Sequence, residues 1–138
     1  MSGIKSKKIG AQFELEVRAD LEKSGWIVSK WNNNVEEIEG INMPFEKAKL
    51  VHAKPKYNPF TKKIQYVGVG FPDFIAFKYC PIDSYDIMGI ECKVQGRLSP
   101  EERAKCEWMN KNNIFKKIFI ASKGKEREIQ YKLWNREK

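Results

Sequence analysis

At 138 residues, with 41% hydrophobic and 12% aromatic content, the chain is long enough to bury one core, too short for two ordinary domains, and unlike a disordered segment in composition. A net charge of +8, from 26 Lys and Arg against 18 Asp and Glu, points to a polyanionic partner, nucleic acid first, without conferring sequence specificity. No apolar run reaches the roughly 20 residues of a membrane helix, and Met1–Lys8 lacks the apolar stretch of a signal peptide. The expectation is a soluble, intracellular (cytoplasmic) protein forming a single domain over residues 1–138.

The first predicted element is a helix over Lys5–Lys23. Ile9, Phe13, Val17 and Leu21 recur every four residues, and at about 100° per residue they span an apolar arc of roughly 120°. Ser24-Gly25 supplies the stop. Trp26-Ile27-Val28 reads as a short strand leading into a polar Asn32-Asn33-Asn34 loop. Leu50-Val51-His52 and Ile64-Gln65-Tyr66-Val67 read as strands separated by a Pro/Asn turn, Lys54-Pro55-Lys56-Tyr57-Asn58-Pro59. His52 is the single histidine, and Leu50–Pro55 offers no partner for a Ser-His or Cys-His system.

Two clear strands follow, Phe74–Lys78 and Ile87–Lys93, joined by the turn-rich Cys80-Pro81-Ile82-Asp83-Ser84. Next comes a helix with Ser99 as N-cap, Pro100 at its first position and Glu102 where a capping box requires it, running to about Lys111 and ended by Asn112-Asn113. Lys117–Ser122 reads as a buried strand. Glu126–Trp134 is helix or strand, with helix preferred. The order gives an α/β domain with a mixed sheet. Cys80, Cys92 and Cys106 form no CxxC pair, which argues against a zinc site and a disulfide framework.

The chemistry concentrates in the central strands. An antiparallel hairpin closed by Tyr79–Tyr85 has its centre at Ile82, so Asp73 faces Glu91, Ile75 faces Gly89 and Phe77 faces Ile87. The facing Cβ atoms would be roughly 4.5–5.5 Å apart. Lys93 follows Glu91 by two residues and projects from the same side of the sheet. Two carboxylates that close repel unless something offsets them, and a divalent cation with oxygen ligands would do so. An ammonium group beside them suits holding a water or stabilising charge on a phosphate. A third carboxylate is expected from the opening helix: Glu14 lies about 20° beyond one edge of the apolar arc and Glu16 about as far beyond the other, so periodicity does not choose between them. Asp20 falls on the arc itself.

Gly10-Ala11-Gln12-Phe13-Glu14, followed by Val17, Leu21 and Gly25-Trp26, resembles the opening helix of archaeal Holliday-junction resolvases, nucleases of the PD-(D/E)xK superfamily. Phe71-Pro72-Asp73-Phe74-Ile75-Ala76 resembles their PD strand and Ile90-Glu91-Cys92-Lys93 their E-C-K strand. The resemblance implies a restriction-endonuclease-like core, a mixed sheet flanked by helices, and Mg²⁺-dependent (or Mn²⁺-dependent) hydrolysis of DNA. It implies that Asp73 and Glu91 bind the metal, that the peptide carbonyl of Cys92 is a further ligand, and that Lys93 assists the attacking water. It selects Glu14 over Glu16. Gln95 falls where related nucleases sometimes carry another polar site residue. Branched DNA and a homodimer matching the junction's symmetry are the partners it implies. Residues 30–66 have no counterpart in the resemblance, and the Leu98–Met109 helix is similar to that of small phage and viral nucleases of the same superfamily. The alternatives are a sequence-specific restriction or homing-type nuclease and a non-catalytic nucleic-acid-binding module of this fold.

For the DNA surface the sequence offers Lys54, Lys56, Lys62 and Lys63, interleaved with Tyr57 and Phe60, with Ser6-Lys7-Lys8 and Arg97 adding to it. Lysines supply phosphate contacts and aromatics stack on exposed bases. Trp108 and Trp134 read as packing residues.

Overall fold

A computed structural model describes residues 3–36, 48–53, 56–60, 62–65 and 70–135. Helix α1 spans Gly3–Lys23. Of the predicted stripe, Phe13, Val17 and Leu21 are buried, whereas Ile9 is half exposed. Trp26 N–H donates to the Leu21 carbonyl, Gly25 N–H donates to that of Glu22, and Gly25 has φ +92°. This is the paired closure in which a left-handed residue satisfies the last carbonyls of a helix.

A five-stranded mixed sheet follows the order β1 (Ile27–Lys30), β6 (Phe74–Cys80), β7 (Ser84–Cys92), β8 (Ile118–Lys123), β9 (Ile129–Leu133). Only β7 and β8 run parallel, and α2 (Pro100–Lys111) makes the crossover between them. Two small antiparallel pairs stand apart from this sheet: β2 (Asn33–Glu36) with β3 (Lys49–His52), and β4 (Lys56–Asn58) with β5 (Lys63–Gln65). No helix among the described residues is long and apolar enough to cross a membrane.

Alternation along the strands divides the core. Phe74, Ala76, Met88, Ile90 and Ala121 pack with Phe13, Val17 and Leu21 on the α1 face. Ile75, Ile118 and Ile120 pack with Phe71, Phe115 and the α2 residues Cys106 and Met109 on the other. Each fully buried side chain of this size contributes about 1.5–3 kcal/mol. The hydroxyl of Tyr131 in β9 donates to Asp20 at 2.6 Å, which accounts for a carboxylate on the apolar arc of α1.

Several expectations hold. The hairpin register is as derived, with Ile75 opposite Gly89, Phe77 opposite Ile87 and Tyr79 opposite Tyr85. At the head of α2, Glu102 N–H donates to Ser99 Oγ and Ser99 N–H to Glu102 Oε1, forming the predicted capping box. Asn112 caps the other end, followed by Asn113 at φ 60°.

Others are corrected. Glu126–Trp134 is not a helix: Gly124 N–H donates to the Glu128 carbonyl, Arg127 adopts φ 67°, and the chain returns as β9 along β8. Ile129 and Tyr131 alternate onto the α1 face, and pairing with the open edge of β8 overrides helix preference. The Asn33–Asn34 stretch is strand β2 rather than loop, paired with the expected strand at Leu50–His52. Lys56–Asn58 is likewise strand rather than turn, paired with Lys63–Gln65, while Lys54 and Pro55 of the expected turn lie outside the described residues. Of the predicted strand Ile64–Val67, Tyr66 and Val67 lie outside the described residues.

Candidate active site

The candidate site lies where the β6–β7 ladder runs out. The last paired residues are Phe74 and Ile90. One step further, Asp73 and Glu91 continue the same register, and side chains replace the missing backbone rungs. Cys92 N–H donates to Asp73 Oδ2 at 2.8 Å, and Asp73 N–H donates to Glu91 Oε1 at 3.1 Å. Since both residues alternate with α1-face positions, Asp73 and Glu91 share the α2 face of the sheet. Gly89 helps set this geometry, because a Cβ there would come within 2.9 Å of Pro72 Cγ and 3.2 Å of the Phe115 ring. Its bare backbone lets the residue before Asp73 pack flat on β7.

Glu91 is only 4% exposed, the one buried charged residue among those described. Burial, then the neighbouring Asp73 carboxylate, pushes its carboxyl up to about 9. Asp73 is also raised by burial, with the Cys92 N–H, its hydrogen bond with Glu91, and the charges of Lys93 and Lys30 acting against the shift. Without a cation, ionising Glu91 beside Asp73 is therefore disfavoured.

Lys93 stands beside them, its Nζ 3.5 Å from Glu91 Oε2 and in closer contact with Glu102 Oε2. Burial pulls the Lys93 ammonium down, but Glu102 and Glu91 outweigh it and the net shift is upward. Glu102 in turn is held below its ordinary value: burial opposes this, and Lys93 and the Ser99 N–H prevail. The sequence assigned Glu102 only to the capping box, yet its second oxygen anchors the site lysine. The signal was available, since a side chain that folds back to its N-cap also faces the loop descending from Lys93.

Glu14 comes from α1, on the opposite face, and is half-buried at the rim. Burial and the Asp73 carboxylate raise it, while Lys30, 3.8 Å away, draws it down. Glu16 instead pairs with Lys123 at 3.1 Å. The structure thus brings Glu14 into the field of Asp73 and leaves Glu16 elsewhere. Lys30, whose backbone neighbour Trp31 donates to the Asp73 carbonyl at 3.1 Å, is a second residue the sequence missed. Among the described residues, no three His, Cys, Asp or Glu side chains gather closely enough to hold a metal ion as they stand. The Cys92 side chain packs toward α1, and burial, with the surrounding carboxylates, keeps its thiol protonated well above the usual range.

The expected DNA surface is described in part. Lys8, Lys62 and Arg97 are exposed, Phe60 is 94% exposed, and Lys62 takes φ 55° at the β4–β5 turn. Lys56, Tyr57 and Lys63 are seen as backbone of β4 and β5. Lys54 and the Lys7 side chain lie outside the described residues. Gln95 is exposed, in the turn where Gly96 N–H donates to the Lys93 carbonyl. Trp108 and Trp134 pack on the α2-face core. Comparison with known proteins gives no match to a family model, a curated protein or a solved structure.

Proposed function

We propose that the protein is a Mg²⁺-dependent endonuclease of the PD-(D/E)xK class that hydrolyses phosphodiester bonds in DNA, with structured or branched DNA as its substrate. One observation carries the reading: two carboxyl groups, the half-buried Asp73 and the buried Glu91, lie side by side in a strand register with only the ammonium groups of Lys93 and Lys30 to offset them. Stability alone would not select such a pair, because burial raises both carboxyl groups and Asp73 raises Glu91 further. A divalent cation with oxygen ligands removes that cost, so the donor set fits the metal. Asp73, Glu91 and the Cys92 carbonyl would hold it, with Glu14 at the rim in the field of Asp73. Bound there, the ion would lower the pKa of a water and neutralise charge on the scissile phosphate.

The chain's own residues then have separable tasks. Asp73 keeps the end of β7 in register through the Cys92 N–H. Glu91 supplies a second charge once its proton is displaced. Lys93 presents an ammonium to the attacking water or the developing phosphate charge. Glu102, by fixing one side of Lys93, decides where that ammonium points. A mixed sheet with α1 and α2 on opposite faces fits the restriction-endonuclease-like core.

The competing reading is a nucleic-acid-binding module without catalysis, favoured by the absence of a gathered three-carboxyl group among the described residues. The test is cleavage of four-way junction, flap, single-stranded and duplex DNA with Mg²⁺. Asp73→Asn and Glu91→Gln should each lower the rate by at least about a hundredfold while leaving DNA binding in place. Wild-type protein that binds all four substrates and cuts none would favour the module. A single cleavage sequence on linear duplex would favour a sequence-specific nuclease over a junction enzyme.

A further inference from the structure

Beside the carboxyl pair, a cleft of about 480 Å³ opens between the Gly96–Leu98 loop, the first turn of α2 and the end of β9. That size falls within the roughly 300–1,000 Å³ of small-molecule sites. Three cations line it, Arg97, Arg103 and Lys132, and no carboxylate does. Leu98, Leu133 and Trp134 supply apolar walls, with the buried Ile120 at the base. Backbone contacts fix these walls. Trp134 N–H donates to the Ile118 carbonyl at 2.8 Å, and Lys123 N–H donates to Val94 at 3.0 Å. Gly96, at φ +73°, turns the loop where a Cβ would press on Ser122.

The cleft adjoins the candidate site. Ile120 pairs in register with Glu91, one strand spacing of about 4.8 Å away and on the same face. Arg103 follows Glu102, the residue that anchors Lys93. A DNA strand whose phosphate sits at Asp73, Glu91 and Lys93 would therefore bring a neighbouring nucleotide to the cleft.

Cations alone would accept any anion. Joined to an indole and two leucines, they select an anion carrying a flat apolar body, which a nucleotide has and an extended acidic peptide lacks. Guanidinium groups also stack on planar rings while pairing with phosphate. Resting on the nuclease reading above, we propose that this cleft receives one unpaired nucleotide flanking the scissile phosphate, its base against Trp134 and its phosphate among Arg97, Arg103 and Lys132. A base can enter only if it is released from its duplex partner, so the substrate class is DNA with a displaced nucleotide, such as a flap, a bulge or a branch point.

The test is direct binding to the full chain, with divalent cations chelated so that cleavage plays no part. The probes are thymidine monophosphate, thymidine, inorganic phosphate and an oligoglutamate peptide. The nucleotide should bind at least about tenfold more tightly than the other three. Lys132→Ala and Arg103→Ala should each weaken it severalfold, and Trp134→Ala by about tenfold or more. Because Trp134 also packs on the core, Trp134→Phe is made in parallel and should retain most of the affinity. Phosphate or peptide binding as tight as nucleotide binding would overturn the proposal, as would affinities indifferent to Arg103→Ala and Lys132→Ala. If the nucleotide binds as described but the wild type with Mg²⁺ cuts none of the four DNA substrates, the nuclease reading fails and the cleft stands. If Asp73→Asn abolishes cleavage but the nucleotide binds no better than thymidine, the cleft fails and the nuclease stands.

Discussion

The β6–β7 hairpin has two unlike ends. At the closed end, Pro81, Ile82 and Asp83 turn the chain with Ile82 at φ 81° and Asp83 at φ 51°, and Ile82 is 94% exposed. At the open end, the half-buried Asp73 faces Glu91, which is 4% exposed. Both ends carry a cost, but of different kinds. Left-handed backbone at a β-branched residue costs about 1–2 kcal/mol and touches nothing else. Burying a carboxyl beside another costs more, and the cost can be cancelled by a cation or a proton. A penalty that a ligand can remove is the kind that belongs to a working site; the turn carries only the other kind.

The largest effect expected from this contrast is on stability without metal. Glu91 loses its proton near 4.5 when unfolded and near 9 when folded. Between those values the unfolded chain is the less protonated state, so stability falls as pH rises, fastest in the middle of that window and levelling above 9. The raised Asp73 and Glu14 act in the same direction. The lowered Glu102 contributes stability that is lost only on acidification below its ordinary value, outside this window. Glu91→Gln should therefore stabilise the metal-free protein at pH 8, by on the order of 3 kcal/mol, and flatten its melting temperature between pH 5 and 9. An unchanged or steeper profile would show that the open end is not electrostatically frustrated.

Next in size is the response to the ion. Mg²⁺ should raise the melting temperature of the wild type, and more at pH 8 than at pH 5.5, by an amount worth about 2.7 kcal/mol at a hundred times its dissociation constant. Asp73→Asn and Glu91→Gln should lose most of that gain. Calorimetric scans with and without Mg²⁺ measure it, and equal gains in all three proteins would place the ion elsewhere.

A smaller effect separates the two tasks of Glu102. Glu102→Gln keeps a side chain able to close the capping box but removes the charge that holds Lys93, so stability should change little while cleavage falls about tenfold. Glu102→Ala should lose the cap as well, at about 1 kcal/mol. Denaturant titration alongside cleavage rates distinguishes them. Smallest is the closed end, where Ile82→Gly should raise stability by about 0.5–1 kcal/mol with no change in cleavage, because glycine accepts positive φ freely.

The parts legible in the sequence were those governed by local rules. Counting outward from Ile82 yields the register that puts Asp73 opposite Glu91, and Ser99 with Glu102 marks the start of α2. What escaped depended on tertiary partners. β9 is a strand because β8 offers it an edge, and β2 becomes one because His52 and Val51 pair with Asn33 and Asn34. Lys30 approaches Glu14 only because β1 lies along β6. Helical geometry left Glu14 and Glu16 equivalent; Lys123 takes one and Asp73 faces the other.

The Tyr131–Asp20 hydrogen bond joins residues 111 positions apart. It clasps the edge strand that leads into Trp134 to the helix that carries Glu14. A substitution as mild as Tyr131→Phe would let the rim carboxylate and the indole drift independently, and a defect in catalysis could then arise far from any reacting atom.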